Sequence, residues 1–186
     1  MDAKATLLLY LQRGRDALVW KLEGLGEYDL HRPMTYSGTN LLGVVKHVAS
    51  VEAGYLGDCF GRPFDQRFPW FAPDAEPNAD FIATEDSAAI LDLYHRVWRH
   101  SDATVAALDL ESKGEVSWWP ADRRVVTLQQ ILVHLIAETN RHAGHMDIVR
   151  EAIDNDIGLS SANDNLPEVD WELYQARVQE VADGFR

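Results

Sequence analysis

Four long stretches of this sequence repeat apolar residues at the spacing of an α-helix, and most of the glycine and proline falls between them. The predicted helices span about 3–25, 39–60, 84–110 and 127–153. An apolar stripe on one side of each such helix has to be buried against a neighbouring element. The pattern therefore predicts an all-α fold in which four long helices share one core.

Residues suited to helix capping stand at three of the predicted starts. Thr39 or Asn40 precedes the second helix and Thr84 precedes the third. The side-chain oxygens of such residues accept hydrogen bonds from the free amides of a first helical turn. Thr127, with Gln130 three residues later, has the spacing of a capping box before the fourth helix. We therefore expect these helices to begin close to the capping residues.

Loops are predicted at 28–38 and around Trp118, Trp119 and Pro120, and two further intervals form a long loop and a tail. Residues 61–83 are rich in proline and aromatic residues, which favours an ordered loop that is packed by its own side chains and could cover a pocket. The polar tail, 156–186, includes a segment at 167–183 that could form a short terminal helix packed on the outside. There is no internal repeat, so residues 1–186 are predicted to form a single domain with its core in 3–155.

The composition excludes several classes of partner. The 30 acidic residues outnumber the 17 Lys and Arg residues, which gives a formal net charge of −13 and argues against nucleic-acid binding. No stretch approaches the ~20 apolar residues that a bilayer-crossing helix needs, and the first ten residues lack the composition of an export signal. Cys59 is the single cysteine, so no internal disulfide can form. These features predict a cytoplasmic protein that binds neither nucleic acid nor membrane.

The most informative residues lie on the fourth predicted helix. At about 100° per residue, and with His134 set at zero, Glu138 lies at about 40°, His142 at about 80° and His145 at about 20°. All four therefore share one face, although a surface helix has no evident need for such a stripe. Glu138 and His142 are one turn apart, so a carboxylate oxygen and an imidazole nitrogen can converge on one cation. His134 is too far along the axis to share that cation and is expected to be a packing residue.

His47 is the natural source of a further metal ligand. It lies midway along the second predicted helix among valines, an apolar context that places it toward the interior. In helix bundles, metal sites are built from side chains on facing helices. We predict that His47, Glu138 and His142 bind a divalent metal and leave one coordination position open, as catalytic sites do.

These residues resemble a known group of metalloproteins. His47, Glu138 and His142, with the string Glu-Thr-Asn-Arg-His-Ala-Gly-His that begins at Glu138, look like the DinB/YfiT-like four-helix metalloproteins. The resemblance is greatest to the branch that contains mycothiol-dependent maleylpyruvate isomerase and related thiol transferases, in which Glu-x-x-x-His replaces the commoner His-x-x-x-His. It covers roughly residues 3–155.

The resemblance implies an up-down-down-up four-helix bundle with a bound divalent ion, usually zinc or nickel. It also implies transfer or isomerisation chemistry in which a low-molecular-weight thiol, ionised at the metal, attacks a small electrophilic substrate. His145 and Arg141 are the candidate catalytic residues. His145 would shuttle a proton or hydrogen-bond to a ligand, and Arg141 would bind a substrate carboxylate. Cys59 has no neighbour in sequence that would lower its pKa, so it is not expected to be the nucleophile.

Several alternatives stay open at this point. His145 could instead be a fourth metal ligand, His134 could take the role of proton shuttle, and Arg141 could form only a surface ion pair. A non-catalytic helical bundle that binds a metal or small ligand, or that serves an interaction partner in a stress response, fits the same residues. A homodimer is expected from the resemblance and from the prevalence of two-fold assemblies.

Overall fold

The computed structural model describes residues 2–160 and 163–186, and in these it contains six α-helices and one two-stranded sheet. The elements in chain order are α1 (Ala3–Trp20), α2 (Glu27–His31), α3 (Leu41–Leu56), α4 (Ser87–Ala107), β1 (Lys113–Glu115), β2 (Val125–Thr127), α5 (Leu128–Asp154) and α6 (Trp171–Asp183). The protein is therefore mostly helical. Helices α1, α3, α4 and α5 correspond to the four predicted from the sequence.

Two of the predicted caps are confirmed and one is wrong. The side chains of Asn40 and Thr127 each accept a hydrogen bond from the backbone amide three residues on, at 2.7 Å and 3.1 Å. Thr84 does not cap α4, because Asp86 does so by accepting from the amide of Ala89 at 2.8 Å. A carboxylate at this position also interacts favourably with the helix dipole.

The prediction of an all-α fold is wrong between α4 and α5, where the chain forms a short hairpin. Strands β1 and β2 pair antiparallel, with Gly114 opposite Val126. Val125, Val126 and Thr127 are β-branched and so favour an extended chain. Each strand has three residues, which is too short to produce a recognisable alternation in the sequence.

The long helices enclose two buried apolar clusters. Helix α5 packs against α1 and α3, and α3 also packs against α4. One cluster joins the second halves of α1 and α5 to the first halves of α3 and α4. The other joins the first halves of α1 and α5 to the last turns of α3 and α4, with the hairpin beside them. Helices α1 and α5 therefore run in one direction and α3 and α4 in the other.

The long connection between α3 and α4, residues 57–86, is here called the aromatic loop. It contains single 3₁₀ turns at Asp58–Phe60, Pro69–Phe71 and Ala79–Phe81. Its rings pack on one another and on the first apolar cluster, and Phe68 stacks on Trp70 with ring centroids 5.1 Å apart. The indole nitrogen of Trp70 donates a hydrogen bond to the hydroxyl of Ser50 on α3, at 3.0 Å. The loop thus has the aromatic packing predicted from its composition.

Helix α6 forms within the predicted terminal segment but does not pack on the core. Every residue from Trp171 to Asp183 is exposed. The sequence-based expectation that this helix covers the outside of the domain is therefore wrong in this structure. Across residues 2–160 and 163–186, none of the helices combines the length and the apolar character that spanning a bilayer requires.

Candidate metal centre

His47 and His142 meet between α3 and α5. Their ring centroids are 4.8 Å apart, and the ring planes are inclined by 61°. His142 is buried, with 11% of its side chain exposed, and the His47 side chain is 18% exposed. The direct packing of α3 on α5 places the two rings together. The structure thus brings two of the three predicted metal ligands into contact.

Glu138 lies one turn before His142 on the same face of α5. Its carboxylate oxygen Oε2 is 3.7 Å from Nε2 of His142, and 37% of its side chain is exposed. This separation is too long for a hydrogen bond. Within the described ranges, no group of three or more His, Cys, Asp or Glu side chains is arranged to hold a metal ion. The three-ligand set therefore stays a prediction, with two imidazoles in contact and the carboxylate at the edge.

A carboxylate that the sequence did not identify contacts His47. Oδ2 of Asp80 is 2.5 Å from Nδ1 of His47, and the ring of Phe81 stacks on the same imidazole with centroids 4.1 Å apart. Both residues belong to the 3₁₀ turn Ala79–Phe81, here called the Asp80 turn. No local pattern distinguishes Asp80 from the other acidic residues of the aromatic loop, since 33 residues separate it from His47 along the chain.

The Asp80 turn is fastened to the first half of α3. Lys46, which is buried, donates a hydrogen bond from Nζ to the carbonyl of Ile82 at 2.9 Å. Asn40 donates from Nδ2 to the carbonyl of Phe81 at 3.4 Å. Gly43 lies so close to this carbonyl that a Cβ at position 43 would overlap it. These contacts come from residues that precede His47 by one to seven positions, so the loop is held close to the point where it meets the imidazole.

The environment of His142 favours a neutral ring. Burial lowers the pKa of His142 from 6.5 to about 4; positive charge at His47, His145 and Arg141 adds to the shift, and Asp80 opposes it. Its Nδ1 atom is buried and has no hydrogen-bond partner among the residues that the structure describes. The imidazole is therefore neutral at pH 7 and has a lone pair for a metal or a hydrogen-bond donor.

The two candidate catalytic residues lie at the rim of this site. The ring of His145 stands edge-on to that of His142, with centroids 5.5 Å apart, and its side chain is exposed. Arg141 is also exposed and is close enough to contribute to the pKa of His142. Both side chains are accessible to a molecule approaching the imidazole pair. Their catalytic roles stay predictions.

His134 and Cys59 lie outside the site, in line with the packing roles that the sequence favoured. The ring of His134 packs edge-on against Tyr55 at 4.7 Å and against Trp119 at 5.3 Å between centroids. Cys59 is buried, and burial raises the pKa of its thiol to about 12, with a further contribution from the charge of Asp58. A thiol with that pKa is not a nucleophile at neutral pH.

Comparison with known proteins identifies a family and related solved structures. The family described as "MST: Mycothiol-S-transferase" matches residues 6–155 of the chain. A crystal structure described as "the conserved protein of locus from Enterococcus faecalis" is similar, with a TM-score of 0.60, 13% sequence identity, and coverage of 84% of this chain and 99% of that one. At so low an identity the likeness shows a shared fold alone. No curated protein matches this sequence.

Proposed function

The chain belongs to the mycothiol-S-transferase family, and on this premise we propose that it is a divalent-metal-dependent enzyme. It would use a low-molecular-weight thiol for transfer to, or isomerisation of, a small electrophilic substrate. The observation that carries the proposal is the contact between His47 and His142 from two packed helices, with Glu138 beside them. Helices that pack directly supply ligands of this kind in helical metalloproteins.

The side chains at this site are of the chemical kinds that bind a divalent metal. Protein ligands must be deprotonated to bind a metal, and a pKa of about 4 keeps His142 neutral at pH 7. Its buried Nδ1 has no partner among the described residues, which is an unsatisfied polar atom that a bound species would explain. Two imidazoles and one carboxylate form a donor set that zinc accepts with an open position, and nickel also accepts imidazole. His47, Glu138 and His142 would hold the ion.

A metal bound by these residues would lower the pKa of a coordinated thiol, so that the nucleophilic thiolate exists at neutral pH. The exposed imidazole of His145 would accept the thiol proton and return it to the product. The guanidinium of Arg141 would bind and orient a carboxylate of the substrate. The aromatic loop, which contacts His47 through Asp80 and Phe81, would limit the access of water to the reacting atoms.

Three broader expectations belong to the same proposal. The directions of α1, α3, α4 and α5 support the up-down-down-up four-helix bundle that the resemblance implies. A homodimer is expected from that resemblance. The net charge of −13 is unfavourable for binding nucleic acid, so the proposed partners are the thiol and a small-molecule substrate.

Metal analysis of protein purified without an affinity tag tests the first part of the proposal. We expect about one equivalent of zinc or nickel in the wild-type protein. Replacing His47 or His142 with Ala should abolish stoichiometric binding while the circular dichroism spectrum stays helical. The control is His95→Ala on α4, since His95 packs against Trp98 outside the site. Wild-type protein that binds no divalent metal would refute the proposal.

Titration of the cobalt-substituted protein with mycothiol tests the thiol chemistry. A thiolate-to-cobalt charge-transfer band should appear on addition of the thiol, because an open coordination position admits it. The band should be absent in His142→Ala. Tight cobalt binding with no response to the thiol would instead favour the non-catalytic metal-binding protein that the sequence left as an alternative.

A further inference from the structure

Asp80 and His47 form a contact to which the proposed function assigns no role in binding the metal. The carboxylate oxygen Oδ2 lies 2.5 Å from Nδ1 of the imidazole, and the two side chains are 12% and 18% exposed. A carboxylate acceptor shortens and strengthens a hydrogen bond from an imidazole N–H. The ring is also confined on its face, because Phe81 stacks on it at an angle of 17°. The orientation of His47 is therefore set by the Asp80 turn as well as by α3.

We infer that Asp80 is a positioning residue that fixes the tautomer and the orientation of His47. When the neutral ring carries its proton on Nδ1 and donates a hydrogen bond from there to Asp80, its lone pair resides on Nε2. That nitrogen is then the one available to a metal shared with His142. The inference rests on the proposed function in one respect, since it assigns His47 to a metal. Metal-binding histidines commonly donate their second ring N–H to a carboxylate, which orients the ring and makes it a stronger ligand.

The contact is built into the fold rather than made by a freely moving side chain. The Asp80 turn is fastened to α3 by Lys46 and Asn40, one residue before His47 and seven before it. These bonds involve the carbonyls of Ile82 and Phe81, not the Asp80 carboxylate. Replacing Asp80 therefore removes its bond to the imidazole and leaves the attachments of the loop to α3 in place. This independence makes the role of Asp80 separable from the folding of the loop.

The tautomer of His47 in the metal-free protein provides the first test. Nitrogen-15 NMR distinguishes a protonated from an unprotonated ring nitrogen, and the His47 signals can be assigned by their loss in His47→Gln. A neutral imidazole in water carries its proton mainly on Nε2. We therefore expect the wild-type ring to carry the proton on Nδ1, and Asp80→Ala to move it largely to Nε2. An Nε2–H form in the wild type, or no change in Asp80→Ala, would overturn the inference.

Two further variants control this measurement. Asp80→Asn keeps the shape of the side chain and an oxygen acceptor without the charge, so it should retain part of the Nδ1–H population. It also covers the case in which Asp80→Ala does not fold. Asp74→Ala removes an exposed carboxylate from the same loop and should leave His47 unchanged. A loss of the Nδ1–H form in Asp74→Ala would show that the net charge of the loop, not the Asp80 bond, sets the tautomer.

Cobalt affinity provides the second test, by competition with a chelator. Removing such an outer carboxylate typically weakens metal binding about 10- to 100-fold. We expect Asp80→Ala to fall in that range, Asp80→Asn to fall between it and the wild type, and Asp74→Ala to match the wild type. The cobalt absorption bands at saturation should keep their positions, because Asp80 does not touch the metal. Unchanged affinity, or bands that shift because a ligand is lost, would overturn the positioning role.

The two measurements distinguish a failure of this inference from a failure of the proposed function. If the wild-type protein binds no cobalt, the proposed metal enzyme fails, and the metal-free tautomer still decides whether Asp80 orients His47. If cobalt and the thiol bind as proposed but the His47 tautomer is the same with and without Asp80, the proposed function is supported and the positioning role of Asp80 is wrong.

Discussion

Replacement of Gly43 with Ala should destabilise the protein and disturb the site at the same time. A Cβ at this position would overlap the backbone oxygen of Phe81 and would lie 2.9 Å from the carbonyl carbon of the same residue. Carbon atoms in contact are normally at least about 3.5 Å apart, so the Asp80 turn must move away from α3 by roughly 0.6 Å or more. The same Cβ would lie 2.8 Å from Oδ1 of Asn40, the atom that caps α3. The substitution therefore strains a backbone contact and a helix cap together.

The expected loss of stability follows from these two effects. Overfilling a packed contact costs about 1–3 kcal/mol, and disturbing an N-cap costs about 1 kcal/mol. The higher helix propensity of alanine offsets at most about 1 kcal/mol of this loss in the free energy of unfolding. We therefore expect Gly43→Ala to lower the free energy of unfolding by about 1–3 kcal/mol. The cobalt affinity should fall as well, since the turn that moves carries Asp80.

Gly144 on α5 offers a matched control. It lies within α5, and a Cβ there would meet no atom within 4 Å. Gly144→Ala should raise the free energy of unfolding by about 0.5–1 kcal/mol. Urea titrations of the metal-free proteins, followed by circular dichroism, measure both changes. Equal stabilisation by the two substitutions would refute the assignment of Gly43 as a close contact between α3 and the aromatic loop.

Two further predictions concern buried charge. Glu52→Gln should lower the free energy of unfolding by about 3–5 kcal/mol in urea titrations, because Glu52 and Arg15 form a buried ion pair, with side chains 0% and 1% exposed. Asp102→Asn removes the charge of a half-exposed partner of Arg15 and should lower the free energy of unfolding by less than about 1 kcal/mol. Equal losses in Asp102→Asn and Glu52→Gln would contradict this reasoning. Between pH 6.5 and about 4, the unfolded metal-free chain binds a proton at His142 that the folded protein does not, so stability should fall as the pH falls through this window. This proton binding lowers the free energy of unfolding by about 3 kcal/mol near pH 4. His142→Gln should show a weaker pH dependence there, and identical curves would contradict the lowered pKa of His142.

Much of the candidate site could be predicted because the relevant pattern is local. The spacing of Glu138, His142 and His145 places them on one face of a single helix, and α5 forms as predicted. His47 is marked by its apolar neighbours, which determine which side of α3 faces the core. The capping oxygens of Asn40 and Thr127 act within three residues, so their positions also followed from the sequence.

The hairpin, the residue that caps α4 and the exposure of α6 were missed for related reasons. A three-residue strand is stabilised by its partner strand and its buried valine, not by a periodic pattern of its own. Thr84 and Asp86 are both good capping residues, so the sequence alone does not show that Asp86 is the one that caps α4. The exposure of α6 also depends on the rest of the fold, since an amphipathic sequence does not specify which surface its apolar face contacts.

The sequence alone determined the four long helices, which of their faces are apolar, and which histidines and glutamate share a face. It did so because the helical repeat relates residues that are three or four positions apart. Only the tertiary structure decided that His47 meets His142 and that Asp80, rather than another acidic residue of the aromatic loop, binds His47. Contacts between distant segments depend on the path of the whole chain, and that path is set by the packing of helices against one another.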